Sequence, residues 1–447
     1  MALTDPTGGT ALTLHVGSGS VSFSGVISGT GGLTKTGVGT HVLGGANTYT
    51  GRTVVTDETL EIRGLSRSLD LSTSGAGRLE FVGADVQSFS GLITAGAGTQ
   101  IVYRGGTTVS GGFLRGTGTH QIGTGGATFS GTTLVHGTRL TAPTGTNLVN
   151  FANGGTVEVA AGQTASWDGL GNTSSGRLDL AGTLNASFFT SDGRIDIAPT
   201  GTLNVAGANL VLGGGSRTYV GTAGAPGGAL SLASGLAVDL NGGLLVNNGT
   251  INRMVNINFG GLAKGAGDYA GGYTVNDGGR FQAGNSPGTV RSGSAVWGAG
   301  GTLLFEIDDA AGIAGTDWSL NVVTGDLTIA AGTTAASRFT IEVDSLLADH
   351  SPGALANWDP AVARSWTLVT TTAGVSGFDP ARFTLDLSGF AAFNSLAGGS
   401  FELAVSGNDL VLNFVPVPEP ASAAALVLSA AAAVMLLRRR SSPVRPA

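Results

Sequence analysis

The stretch Leu178–Ile197, LDLAGTLNASFFTSDGRIDI, begins and ends on the same pattern, an acid held between two apolar residues. In an extended chain the outer side chains of Leu178-Asp179-Leu180 point to one face and the carboxylate to the other, so each triplet reads as a half-buried strand. The pattern recurs as Leu60-Glu61-Ile62, Leu79-Glu80-Phe81 and Val157-Glu158-Val159, and ends in Ile195-Asp196-Ile197. Neighbouring copies are spaced by 19, 21 and 17 residues. A unit of about twenty residues cannot close a core of its own and must stack on its neighbours, which is the logic of a solenoid. About a dozen such rungs fit before residue 290. Carboxylates on rungs about 4.8 Å apart repel unless they are staggered, solvated or bridged by a cation such as calcium. Solvation is the expectation, because no Asp-rich calcium loop accompanies the triplets.

Composition agrees. The 447 residues include 78 glycines and only 13 prolines, and short alternating runs of Val, Ile, Leu, Phe and Thr separate the glycines. This favours turn-rich β structure over helix bundles. Hydrophobic residues at 41% and charged residues at 11% exclude a disordered chain. Twenty-two Lys+Arg against 29 Asp+Glu give a net charge of -7, which argues against nucleic acid as a partner. Without cysteine there is neither a disulfide framework nor a thiolate metal site.

Gly25–Ile62, GVISGTGGLTKTGVGTHVLGGANTYTGRTVVTDETLEI, is the best-formed repeat. Its Gly32-Leu33-Thr34-Lys35-Thr36-Gly37 and Asn47-Thr48-Tyr49-Thr50-Gly51 elements resemble the autotransporter-associated β-strand repeat. SFSGLITAGAG from Ser88 and TFSGTTLVHGT from Thr128 are looser echoes. The resemblance implies a right-handed parallel β-solenoid, expected over residues 1–290. From Gly298 onward the strands are longer and richer in aromatic residues, as in TLLFEI, SRFTIEV and RSWTLVT. An antiparallel, sandwich-like β cap is expected over 291–414, where it would cover an open solenoid end. Gly284-Asn285-Ser286-Pro287-Gly288 fits the G-x-S-x-G pattern of a nucleophile elbow, but Pro287 lacks the N–H that the oxyanion hole needs. A tight turn is the better reading.

The end of the chain, 415–447, is different. Val417-Pro418-Glu419-Pro420 is followed by the apolar run 421–437 and by Arg438, Arg439 and Arg440. As a helix the run measures about 25 Å, against a hydrocarbon core of roughly 30 Å. A single transmembrane helix at 421–437 is therefore expected, with the arginines cytoplasmic and the main body exported. The competing reading, an alanine-rich buried helix, is disfavoured by the flanking prolines and terminal arginines. The three parts in this order resemble the PEP-CTERM sorting signal of Gram-negative bacteria. That resemblance implies processing by an exosortase near Pro418-Glu419-Pro420, and association with exopolysaccharide and the cell surface. The opening MALTDPTGGTALTLHVGSG has no basic segment or continuous apolar core of a signal peptide, so an exporting segment is expected upstream of Met1.

No catalytic, cofactor or metal residues emerge. Histidines lie at 15, 41, 120, 136 and 350, and His120 and His136 lack a companion carboxylate. Glu306, Asp308, Asp309 and Asp317 are the densest acidic cluster and read as a solvated hairpin loop. Lys35 and Lys264 are the only lysines, which leaves little for a lyase base, and no Gly-Lys-Ser/Thr cradle is present. The reading is therefore a non-enzymatic, exported adhesive or matrix solenoid. Its alternative is an extracellular β-helix carbohydrate-active enzyme, a polysaccharide lyase or glycosidase. A concave patch of carboxylates with Arg or Lys on adjacent rungs would distinguish that alternative.

Overall fold

Leu178, Asp179 and Leu180 lie directly opposite Ile195, Asp196 and Ile197 in a parallel ladder, so the two triplets are neighbouring rungs of one stack. The computed structural model describes residues 2–3, 11–64, 66–169 and 171–417. The chain is a parallel β-solenoid with three faces. The first face runs from Ala11–His15 to Val375–Ser376, the second from Ser20–Phe23 to Phe383–Asp386, and the third is a 15-stranded sheet beginning at Val86–Ser88. Thr53–Ile62 and Leu71–Val82 are long enough to turn a corner and pair on both the first and second faces.

Alternation decides what faces the lumen. In Arg177–Leu180 and Arg194–Ile197 the apolar residues are buried and the charged ones face outward. Turns stack on turns as closely as strands on strands. A Cβ on Gly182 would collide with the carbonyls of Ala160 and Gln163 one rung earlier, so only glycine fits there. The lumen is apolar and strongly aromatic. Phe81, Tyr103, Phe129, Phe151, Trp167 and Phe189 follow one another along the axis with ring centroids 5.0 to 6.2 Å apart. Each such contact contributes about 0.5–1.5 kcal/mol beyond its area burial.

The expected fold requires correction after residue 290. Thr302–Ile307 pairs in parallel with Phe339–Ser345, which pairs in parallel with Phe383–Asp386, so the solenoid continues through most of the region read as an antiparallel cap. Antiparallel pairing is confined to Arg364–Thr371, Asp409–Val415 and Ser400–Ser406. Ser406 faces Asp409 across the two-residue turn Gly407-Asn408. This small sheet does cap the stack. Trp358 sits 4.6 Å from Phe414 and 4.9 Å from Phe390, and Trp366 lies 5.9 Å from Phe401.

The expected transmembrane helix at 421–437 lies outside the described residues. Among the described residues no helix is long and apolar enough to cross a membrane, and Ser388–Ala391 is a single helical turn. The fold of the described residues therefore contains no membrane-spanning helix.

Candidate functional site: a charge ladder and its groove

The outward columns of the second face carry most of the molecule's paired charge. Parallel register sets Glu61 against Glu80, Glu158 against Asp179, and Asp179 against Asp196. Stacked carboxylates of this kind need a counter-charge, and arginine provides it in place of the expected solvation. Arg78, Arg177 and Arg194 each stand two residues before an acid, on the same side of the strand. Arg177 Nε donates to Asp179 at 2.6 Å, and its Nη2 lies 2.9 Å from Asp196 one rung on. Arg194 donates to both oxygens of Asp196, at 2.6 and 2.8 Å. Arg139 pairs with Glu158. Nearer the N-terminus, Arg104 reaches Glu80 at 2.9 Å and Glu61 at 3.4 Å, while Arg63 pairs with Glu61. Burial opposes ionisation of Glu80, but hydrogen bonds from Arg78 and Arg104 outweigh it and hold its carboxyl below the usual range. The hydrogen bond to Asp196 is the main reason that Arg194 is an even weaker acid than usual.

Beside this ladder runs a groove of about 310 Å³. Glu158, Asp179 and Asp196 form one wall, Ala181, Ala198 and Pro199 contribute apolar surface, and Tyr219 lies at the end. The Arg194 guanidinium sits 4.7 Å from the centre of the Tyr219 ring, a cation–π contact. Glu158 Oε1 and Asp179 Oδ2 accept no hydrogen bond from the described residues, so the wall keeps acceptors for hydroxyl groups. Carboxylates and arginines therefore meet on adjacent rungs beside this groove. The sequence signal for it is Arg-apolar-acid-apolar, an arginine placed ahead of the acid triplets at 78, 177 and 194.

The other candidates fall elsewhere. His120 is buried on the second face between Tyr103 Oη at 3.0 Å and the Arg115 carbonyl at 3.0 Å, and burial pushes it down to about 4. His136 is exposed in a turn. His41 is buried, and neither ring nitrogen is hydrogen-bonded among the described residues. The acidic cluster is not one solvated loop. Glu306 is buried in a strand and accepts from Gln282 at 2.9 Å and from Ser286 at 3.0 Å, whereas Asp309 binds Asn357. Burial, with Asp317 nearby, raises Asp308 above the ordinary carboxylate value. Ser286 is followed by the strand Thr289–Ser292 and by no helix, which agrees with the rejection of a nucleophile elbow. Among the described residues no group of three or more His, Asp or Glu could hold a metal ion. Val417 is exposed just beyond the last strand; Pro418, Glu419, Pro420, Arg438, Arg439 and Arg440 lie outside the described residues.

No protein-family model matches the chain. No curated protein matches it either. Among solved structures the chain is similar to one described as the crystal structure of a TibC-catalyzed hyper-glycosylated TibA fragment. The identity is 16% over 76% of this chain and 97% of that one, with a TM-score of 0.24.

Proposed function

We propose that this chain is an exported structural and adhesive component of a cell surface or extracellular matrix. The carrying observation is the repeated polar surface that the stack holds in register. On the third face Thr108, Thr128, Asn147, Ser166, Asn185 and Asn204 are opposite one another on successive rungs. Ser166 donates to Asn147 at 2.5 Å and Asn204 to Asn185 at 2.8 Å, so the hydroxyls and amides are held in fixed positions. A rigid row of donors and acceptors at rung spacing presents the same contact many times, and weak contacts to a polymer then add through multivalency. The tail at Val417-Pro418-Glu419-Pro420 and Arg438–Arg440 supports export by its resemblance to a sorting signal. An exosortase is its proposed processing partner and exopolysaccharide its proposed matrix partner.

Surface labelling of intact producing cells, with attachment assays on a gene-deletion strain, tests this reading. Surface label and reduced attachment are expected; an unlabelled surface with unchanged attachment would contradict it.

The groove along Glu158, Asp179 and Asp196 favours a second reading, a carbohydrate-active enzyme of the cell exterior. Its carboxylates are largely engaged by arginine, whereas a glycosidic general acid must be free to reach the leaving-group oxygen. Incubating the full chain with a panel of neutral and acidic polysaccharides and measuring new chain ends separates the two. Release of oligosaccharides that is abolished by Glu158→Gln would establish the enzyme.

A further inference from the structure

A second cleft, of about 470 Å³, opens where the first face turns into the second, lined by Gly214, Gly215, Ser216, Arg217, Gly242 and Leu244 among others. Four observations single it out. Arg217 belongs to the outward arginine column, directly opposite Arg194, yet has no carboxylate among the described residues, whereas Arg78, Arg139, Arg177, Arg194 and Arg280 are all ion-paired. The hydrogen-bond ladder of this corner is interrupted here. Farther along, Gly260 N–H donates to Gly278 and Gly278 N–H to Gly300, but the amides of Gly214, Gly215, Gly242 and Gly243 donate to none of the described residues. Ser216 is buried at 2% exposure, its hydroxyl directed at Gly243 and without a partner among the described residues. Finally, Phe259, at the rim beside Gly260, is 79% exposed and lays its ring over Gly278.

We infer that this cleft binds a carboxylate-bearing sugar unit of an acidic polysaccharide. The Arg217 guanidinium takes the carboxylate through charge-assisted hydrogen bonds, for which its planar fork is suited. The free glycine amides supply further donors at the same place, and glycine is what lets a ligand approach that backbone closely. The face of Phe259 covers the apolar side of a neighbouring sugar ring. The chain's net charge of -7 repels polyanions at long range, so capture depends on this local arrangement and not on a general field. The inference deepens the surface reading above by naming site and ligand class, and it rests on that reading only for the polysaccharide being met in the cell.

The test is calorimetric titration of the full chain with polygalacturonate, its methyl-esterified form, dextran and dextran sulfate at low ionic strength. Binding to polygalacturonate alone is expected, weakened roughly tenfold by Arg217→Gln and several-fold by Phe259→Ser. The exposed Arg291, which has no ion pair among the described residues, serves as control, and Arg291→Gln is expected to leave affinity unchanged. Circular dichroism of each variant confirms the fold. No binding of polygalacturonate, equal binding of its methyl ester or of dextran, or an equal loss with Arg291→Gln would overturn the inference. Preference for dextran sulfate would overturn the carboxylate assignment. Failure here with surface display and attachment intact removes the ligand and leaves the surface reading standing; the reverse result removes the surface reading and keeps the site.

Discussion

The middle of the solenoid and its C-terminal end build the same three faces in different ways. Around Val157–Ile197 the chain returns to the second face after 21 and then 17 residues, and each rung repeats the apolar-acid-apolar pattern of the last. Toward the end, Thr302 must wait for Thr340, and Phe339 for Phe383, because excursions such as that around Asp308–Trp318 intervene. The core changes with them. The middle is held by one line of aromatic rings along the axis, the end by the clustered rings of Trp358, Trp366, Phe390, Phe401 and Phe414 beneath an antiparallel hairpin. Regular stacking thus propagates the fold, whereas irregular rungs and an antiparallel sheet stop it, as an exposed strand edge demands.

Removal of an aromatic anchor should separate the two regions most clearly. Trp167→Ala and Trp366→Ala are each expected to cost about 3–5 kcal/mol, the usual range for a fully buried Trp. Only Trp366→Ala should also cause association in light scattering, because it loosens the cap. Equal association of both variants would break the distinction between propagating and terminating regions.

Acid should act on the two regions with opposite sign. His120, in the N-terminal half of the stack, is neutral when folded and binds its proton only near pH 4. The unfolded chain takes that proton first, so this contribution is fully present above pH about 6.5 and falls by on the order of 3 kcal/mol as pH approaches 4. His41 is also lowered by burial, with Lys35 adding to the effect, and shifts stability in the same direction. Near the C-terminal end, burial raises Asp344, with Glu342, Glu306 and Asp386 adding repulsion, and burial likewise raises Asp308. Those groups favour the folded state below the unfolded carboxylate value, and their benefit is lost as pH rises through their folded values. Hydrogen exchange at pH 5 against pH 7 should therefore show faster opening around Tyr103–His120 and no such loss around Phe339–Ser345. Uniform acceleration along the chain would contradict this.

The smallest effect belongs to the ladder. Arg177→Gln leaves Asp179 facing Asp196 and should lower stability by about 1 kcal/mol, shrinking in high salt, because the guanidinium is half exposed. Thr128→Ala on the outer third face should stay within about 0.5 kcal/mol. A larger loss there than at Arg177 would show that the polar column, and not the charge ladder, stabilises the stack.

These differences also explain what could be read from the sequence. Leu178-Asp179-Leu180 and Ile195-Asp196-Ile197 announce a rung because inward and outward positions repeat at nearly constant spacing. Phe339–Ser345 alternates just as clearly, yet alternation carries no strand direction, and the insertions between rungs hide their period. Parallel pairing was therefore invisible there. In the candidate site the acids were legible, but their arginine partners required noticing that residues two apart share a side of the strand. Arg217 and its glycine corner could not have been found, since what marks them is a missing partner that only the register exposes.

The most direct test of the central claim, that one parallel stack runs unbroken into its cap, uses the absence of native cysteine. Thr302→Cys combined with Thr340→Cys places two thiols on adjacent parallel rungs, about 4.8 Å apart at Cα and within disulfide reach. Oxidation should close this pair completely in the native protein, while Thr302→Cys with Thr384→Cys, two rungs apart, stays reduced. If the first pair stays reduced, or the second closes as readily, the C-terminal region is a separate domain and the continuous rod is wrong.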